Sequence, residues 1–180
     1  MKNVAIILVD GFEEIEAISI LDILRRADIN TVAVGLEALY IRGAHQLKFE
    51  ADIEFDKVNF DEYDMIVLPG GLPGAEYLAK SEKLQKVLKD FDAKGKFIGA
   101  ICAAPWALNT AGVLKNSYTC YPGFEKIVAK NGYVSNSDVV IDENIITSRG
   151  PATAMKFALE LVKILEGDGK YTEVKNGLLF

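Results

Sequence analysis

The sequence predicts an α/β fold: a mostly parallel sheet with helices on both faces. Two observations carry this. Short apolar runs bounded by turn residues alternate with longer segments of helical periodicity along the whole chain, which is the signature of repeated βαβ units. At 180 residues, half of them hydrophobic, the chain is also long enough for one substantial core, so a single domain spanning 1–180 is expected.

The strands are predicted at Val4–Val9, Thr31–Leu36, Met65–Leu68, Phe97–Ile101 and Ile145–Thr147. Each is short, apolar and rich in β-branched residues, as strands buried on both faces are. Between Leu39 and Phe55 the pattern is choppier and alternates at Gln46 to Glu50, which predicts a small antiparallel excursion. Helices are predicted at Glu13–Ala27, Ala75–Asp92, Ala104–Ala111, Gly123–Lys130 and Pro151–Leu165. The last carries an apolar stripe through Phe157, Ala158, Leu161, Val162 and Leu165. Gly167 to Phe180 has no readable chemistry.

Charge and composition exclude several functions. A net charge of -6 argues against nucleic acid or an anionic membrane as partner. No apolar run is long enough to span a bilayer, and the start, MKNVAIILVDG, has no cleavage signal. With 2 Cys no disulfide framework is expected, so a reducing, cytoplasmic setting fits. The 1 His and the lack of CxxC or HExxH spacing leave no metal or cofactor motif. His45 itself reads as a surface or subunit-contact residue.

Ligands of open α/β sheets bind beyond the carboxyl ends of the strands, so those ends locate the candidate site. Phe97–Ile101 runs into Cys102, and Ala103-Ala104-Pro105 opens a helix with proline in its first turn. Strand, sharp turn, nucleophile, helix is the plan of a nucleophile elbow, which needs small residues two positions either side; here they are Ala100 and Ala104. A thiol at a helix N-terminus is expected to have a lowered pKa. The alternative is an inert buried cysteine.

The first strand ends at Asp10-Gly11-Phe12 before Glu13-Glu14-Ile15-Glu16. At 100° per residue, Glu16 lies in the middle of the arc formed by Ile20, Ile23, Leu24 and Ala27, and Glu13 falls on the same arc at the fraying end. A carboxyl facing the core is costly as an anion, so its pKa rises toward neutrality and it becomes a proton donor or shuttle. Capping accounts for Glu14. The third strand leads into Pro69-Gly70-Gly71-Leu72-Pro73-Gly74, whose glycine spacing is wrong for nucleotide binding. Gly70 and Gly71 instead let main-chain N–H groups approach a developing oxyanion, with the Ala103 N–H as second donor. No His follows Cys102, so a Cys–His pair is absent downstream, and Tyr121 stands where such a base is expected. It serves as hydrogen-bond donor or pocket wall. Arg149, at the end of the last strand, has an ion pair as its default role, and Pro151 opens the following helix.

With these pieces placed, the chain resembles the ThiJ/PfpI superfamily, in the branch of the parkinsonism-linked protein deglycase (DJ-one-like). The resemblance rests on DGFEEIE at Asp10 to Glu16, LPGG at Leu68 to Gly71, AICAAP at Ala100 to Pro105 and TSRGP at Thr147 to Pro151. It implies a flavodoxin-like three-layer sandwich that usually dimerises, with no cofactor. Cys102 would match the family's reactive cysteine, Glu16 the carboxylic acid bonded to its sulfur, and Gly70 or Gly71 with Ala103 the oxyanion-type donors. Tyr121, Arg149 and Pro151 are the expected pocket residues, and Tyr121 stands where deglycase-like members often carry His. The resemblance implies a glyoxalase or deglycase acting on small carbonyl substrates such as methylglyoxal and its adducts. The alternatives are an oxidative-stress sensor or chaperone whose Cys102 becomes a sulfinic acid, and a cysteine peptidase or amidase.

Overall fold

A computed structural model describes residues 1–180. The central sheet has seven strands in the order β5-β2-β1-β6-β7-β9-β8. In chain order these are β1 (Asn3–Leu8), β2 (Asn30–Gly35), β5 (Ile53–Glu54), β6 (Met65–Leu68), β7 (Phe97–Ile101), β8 (Val139–Asp142) and β9 (Ile145–Ser148). All pairings are parallel except β8 with β9. The predicted excursion is a separate antiparallel ribbon of β3 (Tyr40–Arg42) and β4 (Lys48–Glu50). The mostly parallel, helix-covered sheet is a flavodoxin-like α/β fold.

The five predicted strands are present within a residue of their expected ends. β8 was not predicted. Its half-buried VVID reads poorly as an interior strand because it is an antiparallel edge, paired on one side only.

The helices are α1 (Glu14–Arg26), α2 (Gly74–Lys80), α3 (Glu82–Ala93), α4 (Pro105–Ala111), α5 (Glu125–Val128) and α6 (Ala154–Gly177). Three depart from expectation. Ala75–Asp92 is two helices, because Ser81 takes an extended backbone and its side chain accepts from the Leu84 N–H at 3.3 Å, capping a new helix. Gly123–Lys130 shrinks to one turn, ended by Ala129 in the left-handed region. The last helix begins after a 3-10 turn at Pro151–Thr153, runs past Leu165, and is interrupted at Gly167, whose φ of 85° is non-helical.

The sheet separates two apolar clusters. One, with Ile6, Leu8 and Met65, packs under α1 and α6, and contains Phe12, Ile20, Leu24, Phe157 and Cys102. The other, with Ile7, Ile66 and Leu68, packs under α2, α3 and α4, and contains Leu88, Phe91, Leu108, Tyr118 and Cys120. No helix is long and apolar enough to cross a membrane.

Candidate active site

The chain reverses its sheet order between β1 and β6, and residues just past β1, β6 and β7 converge there. Cys102 follows β7 with φ of 64°, the sharp turn expected of an elbow. A non-glycine residue in this region costs about 1–2 kcal/mol. The turn is held from both sides: the Cys102 N–H donates to the Ser148 carbonyl at 3.0 Å, and its carbonyl accepts from the Tyr121 N–H at 2.9 Å. Such strain held by its surroundings is a mark of functional positions.

Glu16 is fully buried on the core-facing side of α1. Its Oε2 accepts from the Gly70 N–H at 2.7 Å. Its Oε1 is buried without a hydrogen-bond partner, and the Cys102 thiol lies close enough to act on the carboxyl as a donor. Burial pushes the carboxyl up to about 7, with the charge of Glu13 adding to the rise, against the opposing bonds from Gly70 and Cys102. The Cys102 thiol is pushed up by burial and by the charge of Glu16, while the N–H groups of Gly71 and Ala103 pull it down. The expected lowering by a helix dipole is therefore outweighed: α4 is short and begins three residues later, whereas Glu16 is in direct contact. Protonating Glu16 removes its charge, which is second only to burial among the causes that hold the thiol neutral.

The glycine loop divides its labour. The Gly70 N–H is committed to Glu16, and the N–H groups that face the sulfur belong to Gly71 and Ala103. A Cβ on Gly70 would lie 2.7 Å from the Cys102 Cβ. Gly71, with φ of 94°, sits against the backbone of Gly11 to Glu13, where an added Cβ would come within 2.4 Å of the Gly11 carbonyl oxygen. The glycines thus permit loop-on-loop packing, which locks the β6 loop to the start of α1 through the Glu13 N–H to Gly70 carbonyl bond at 2.8 Å.

Glu13 is the N-cap of α1: its Oε2 accepts from the Glu16 N–H at 2.8 Å. Glu14 is not explained by capping. Its Oε1 accepts from the backbone N–H groups of His45 at 2.7 Å and Leu47 at 3.3 Å, tying the β3–β4 loop to α1. That contact is long-range and left no trace in local spacing.

Tyr121, Arg149 and Pro151 line one open cavity of about 230 Å³, next to the elbow but without Cys102 in its wall. Arg149 makes no ion pair, in contrast to its default role, and its Nε is buried without a partner. Tyr121 is half exposed.

An α/β sheet carrying a buried cysteine elbow, paired with a carboxylic acid instead of an imidazole, defines the class of this protein. The chain belongs to the DJ-1/PfpI family, whose model matches residues 2–164. Among its relatives, protein dj-1beta of Drosophila melanogaster is 39% identical over 99% of this chain and 97% of its own length. The crystal structure of that fly protein superimposes with a TM-score of 0.95, covering 99% of this chain and 97% of its own. A protein of Schizosaccharomyces pombe named glutathione-independent glyoxalase DJ-1 is 32% identical over 99% of this chain and 98% of its own length. The structure named Toxoplasma gondii DJ-1, oxidized, has a TM-score of 0.93 at 34% identity, covering 100% of this chain and 99% of its own.

Proposed function

We propose that this protein is a cofactor-free enzyme of glyoxalase or deglycase type acting on 2-oxoaldehydes such as methylglyoxal and their adducts. One observation carries the reading: a fully buried carboxyl, bonded to the Gly70 N–H and with its pKa pushed up to about 7, lies beside the thiol of a strained elbow cysteine. The name of the fission yeast relative supports the same chemistry.

Glu16 as carboxylate takes the Cys102 proton while the sulfur adds to the aldehyde carbon. The new oxyanion is met by the Gly71 and Ala103 N–H groups and takes the proton back from Glu16, giving a hemithioacetal and restoring the carboxylate. Glu16 then removes the proton from the former aldehyde carbon and returns it to the neighbouring carbon, while the hydroxyl proton passes to the neighbouring carbonyl oxygen, converting the adduct to a 2-hydroxy thioester. Water cleaves the thioester, releasing lactate and restoring the thiol. The net change is addition of one water to methylglyoxal, and a group titrating near neutrality suits both halves of the proton transfer. Tyr121, Arg149 and Pro151 form the adjoining pocket wall.

A homodimer belongs to this reading, supported by the exposed Ile15 and Ile18 of α1 beside the exposed Leu47. A cytoplasmic setting agrees with both cysteines being free thiols. Cys102→Ala and Glu16→Ala are each expected to abolish lactate formation from methylglyoxal. Unchanged turnover in either variant would sink the assignment.

A second reading is redox sensing, favoured by the oxidized state in the name of the Toxoplasma relative and by the same carboxyl at the sulfur. Here Glu16 stabilises a Cys102 sulfinic acid formed by peroxide.

A further inference from the structure

We propose that Glu13, Glu14 and His45 form a binding site for a divalent first-row metal cation, with Zn²⁺ as its best-matched probe. The inference does not rest on the enzymatic reading: Glu14 and His45 take no part in the chemistry above, and Glu13 enters it only through its charge and its bond to the Glu16 N–H.

The donor atoms are already gathered. His45 Nδ1 lies 3.1 Å from Glu14 Oε2 and 3.8 Å from Glu13 Oε1. All three atoms are within 4.8 Å of one another. In a tetrahedral Zn²⁺ site, bonds of about 2.0–2.2 Å put neighbouring ligand atoms about 3.4 Å apart. Small side-chain rotations are enough to close this set around an ion.

Each carboxylate is also held for the task. Glu14 spends Oε1 on the His45 and Leu47 N–H groups and presents Oε2 to the imidazole. Gly43 makes that clamp possible, because a Cβ there would lie 2.2 Å from Glu14 Oε1. Glu13 spends Oε2 on the Glu16 N–H and leaves Oε1 without a hydrogen bond, aimed at the same imidazole. The Glu13 side chain is only 9% exposed, so this oxygen is an under-used acceptor on a nearly buried acid. Backbone bonds that fix the second oxygen of a ligating carboxylate are the usual outer support of a metal site.

The charge balance points the same way. Neither Glu13 nor Glu14 pairs with any Lys or Arg; the exposed ring of His45 is the only ion-pair partner of both. Two carboxylates against one imidazole favour a dication, and a mixed nitrogen and oxygen donor set suits Zn²⁺ better than Ca²⁺ or Mg²⁺. The outer side of the His45 ring faces solvent, leaving a coordination position for water. Residues 13, 14 and 45 have no metal-motif spacing, and only the β3–β4 ribbon folding onto α1 brings them together.

Because Cys102 is a competing thiol ligand, calorimetric titration with Zn²⁺ is done on the Cys102→Ala chain. One Zn²⁺ per chain is expected, with affinity falling at least about tenfold on adding His45→Ala or Glu14→Gln. His45→Ala, at an exposed position, keeps the unfolding temperature of its parent and so separates ligation from folding. In the native chain, Zn²⁺ is expected to shift the ring resonances of the single histidine. No binding by the Cys102→Ala chain, unchanged affinity after His45→Ala, or unmoved histidine resonances would overturn the site.

Discussion

Cys102 and Cys120 are near neighbours with opposite environments. The Tyr121 N–H bonds the Cys102 carbonyl, so the backbones of the two cysteines run side by side. Both side chains are buried, Cys102 at 8% exposure and Cys120 at 0%. Both thiols are pushed up by burial, Cys120 to about 12. Yet they lie in different apolar clusters on opposite faces of the sheet, which also keeps them from pairing as a disulfide. Cys102 has a carboxyl with a pKa near 7 against its sulfur and the N–H groups of Gly71 and Ala103 beside it. Cys120 meets only burial and the charge of Glu125. Burial alone therefore does not separate an inert thiol from a reactive one. In the proposed reading, the proton acceptor and the oriented N–H groups do.

The largest expected contrast is in oxidation. Mild peroxide followed by peptide mass spectrometry should add oxygen to Cys102 at least about a hundredfold faster than to Cys120, because only Cys102 has a group that takes its proton. Equal oxidation of the two would erase the distinction drawn between them.

The next effect is on stability. Glu16 is folded with a pKa of about 7 against an ordinary value of 4.5. A raised pKa means that the folded chain binds the proton more tightly, so its contribution is fully present below the unfolded value and is lost as pH rises through about 7. The difference amounts to roughly 3 kcal/mol. Glu16→Gln, which cannot ionise, should gain that much relative to the native chain between about pH 4.5 and pH 8 in urea unfolding. A constant difference across this range would mean that Glu16 is not charged at the expense of the fold.

The smallest expected effect is at Tyr121. Its backbone N–H holds the elbow, but its side chain is half exposed and its hydroxyl makes no hydrogen bond. Tyr121→Phe should leave kcat/KM for methylglyoxal within about threefold, since no proton is routed through it. A loss of a hundredfold or more would give the hydroxyl the role that Glu16 holds in the proposed reaction.

Much of this site was legible in one dimension because its parts obey local rules. Ala100 and Ala104 around Cys102 follow from the sterics of the elbow. The placement of Glu16 follows from helical rotation, and its burial is complete. Both depend on residues within a few positions. Most of what escaped was set by chain segments far apart, with the split at Ser81 a local exception. The split at Ser81 hangs on a single side-chain bond within an otherwise unbroken helical pattern. The choice between Gly70 and Gly71 as donor was undecided until Glu16, 54 residues away, claimed the Gly70 N–H. Glu14 looked like a cap because nothing near it in the chain reveals the His45 loop that it binds. The direction of the Cys102 shift has the same origin: the helix after it shows in local spacing, whereas the charge of Glu16 reaches it from a distant helix.

The most direct test of the proposed pairing is the pH profile of kcat/KM for methylglyoxal consumption in the native chain and in Glu16→Gln. The native profile should rise through a midpoint near pH 7, set by the Glu16 carboxyl, and Glu16→Gln should lose that rise together with most of its activity. An unchanged profile in Glu16→Gln would show that another group takes the Cys102 proton, and the pairing on which this account rests would be wrong.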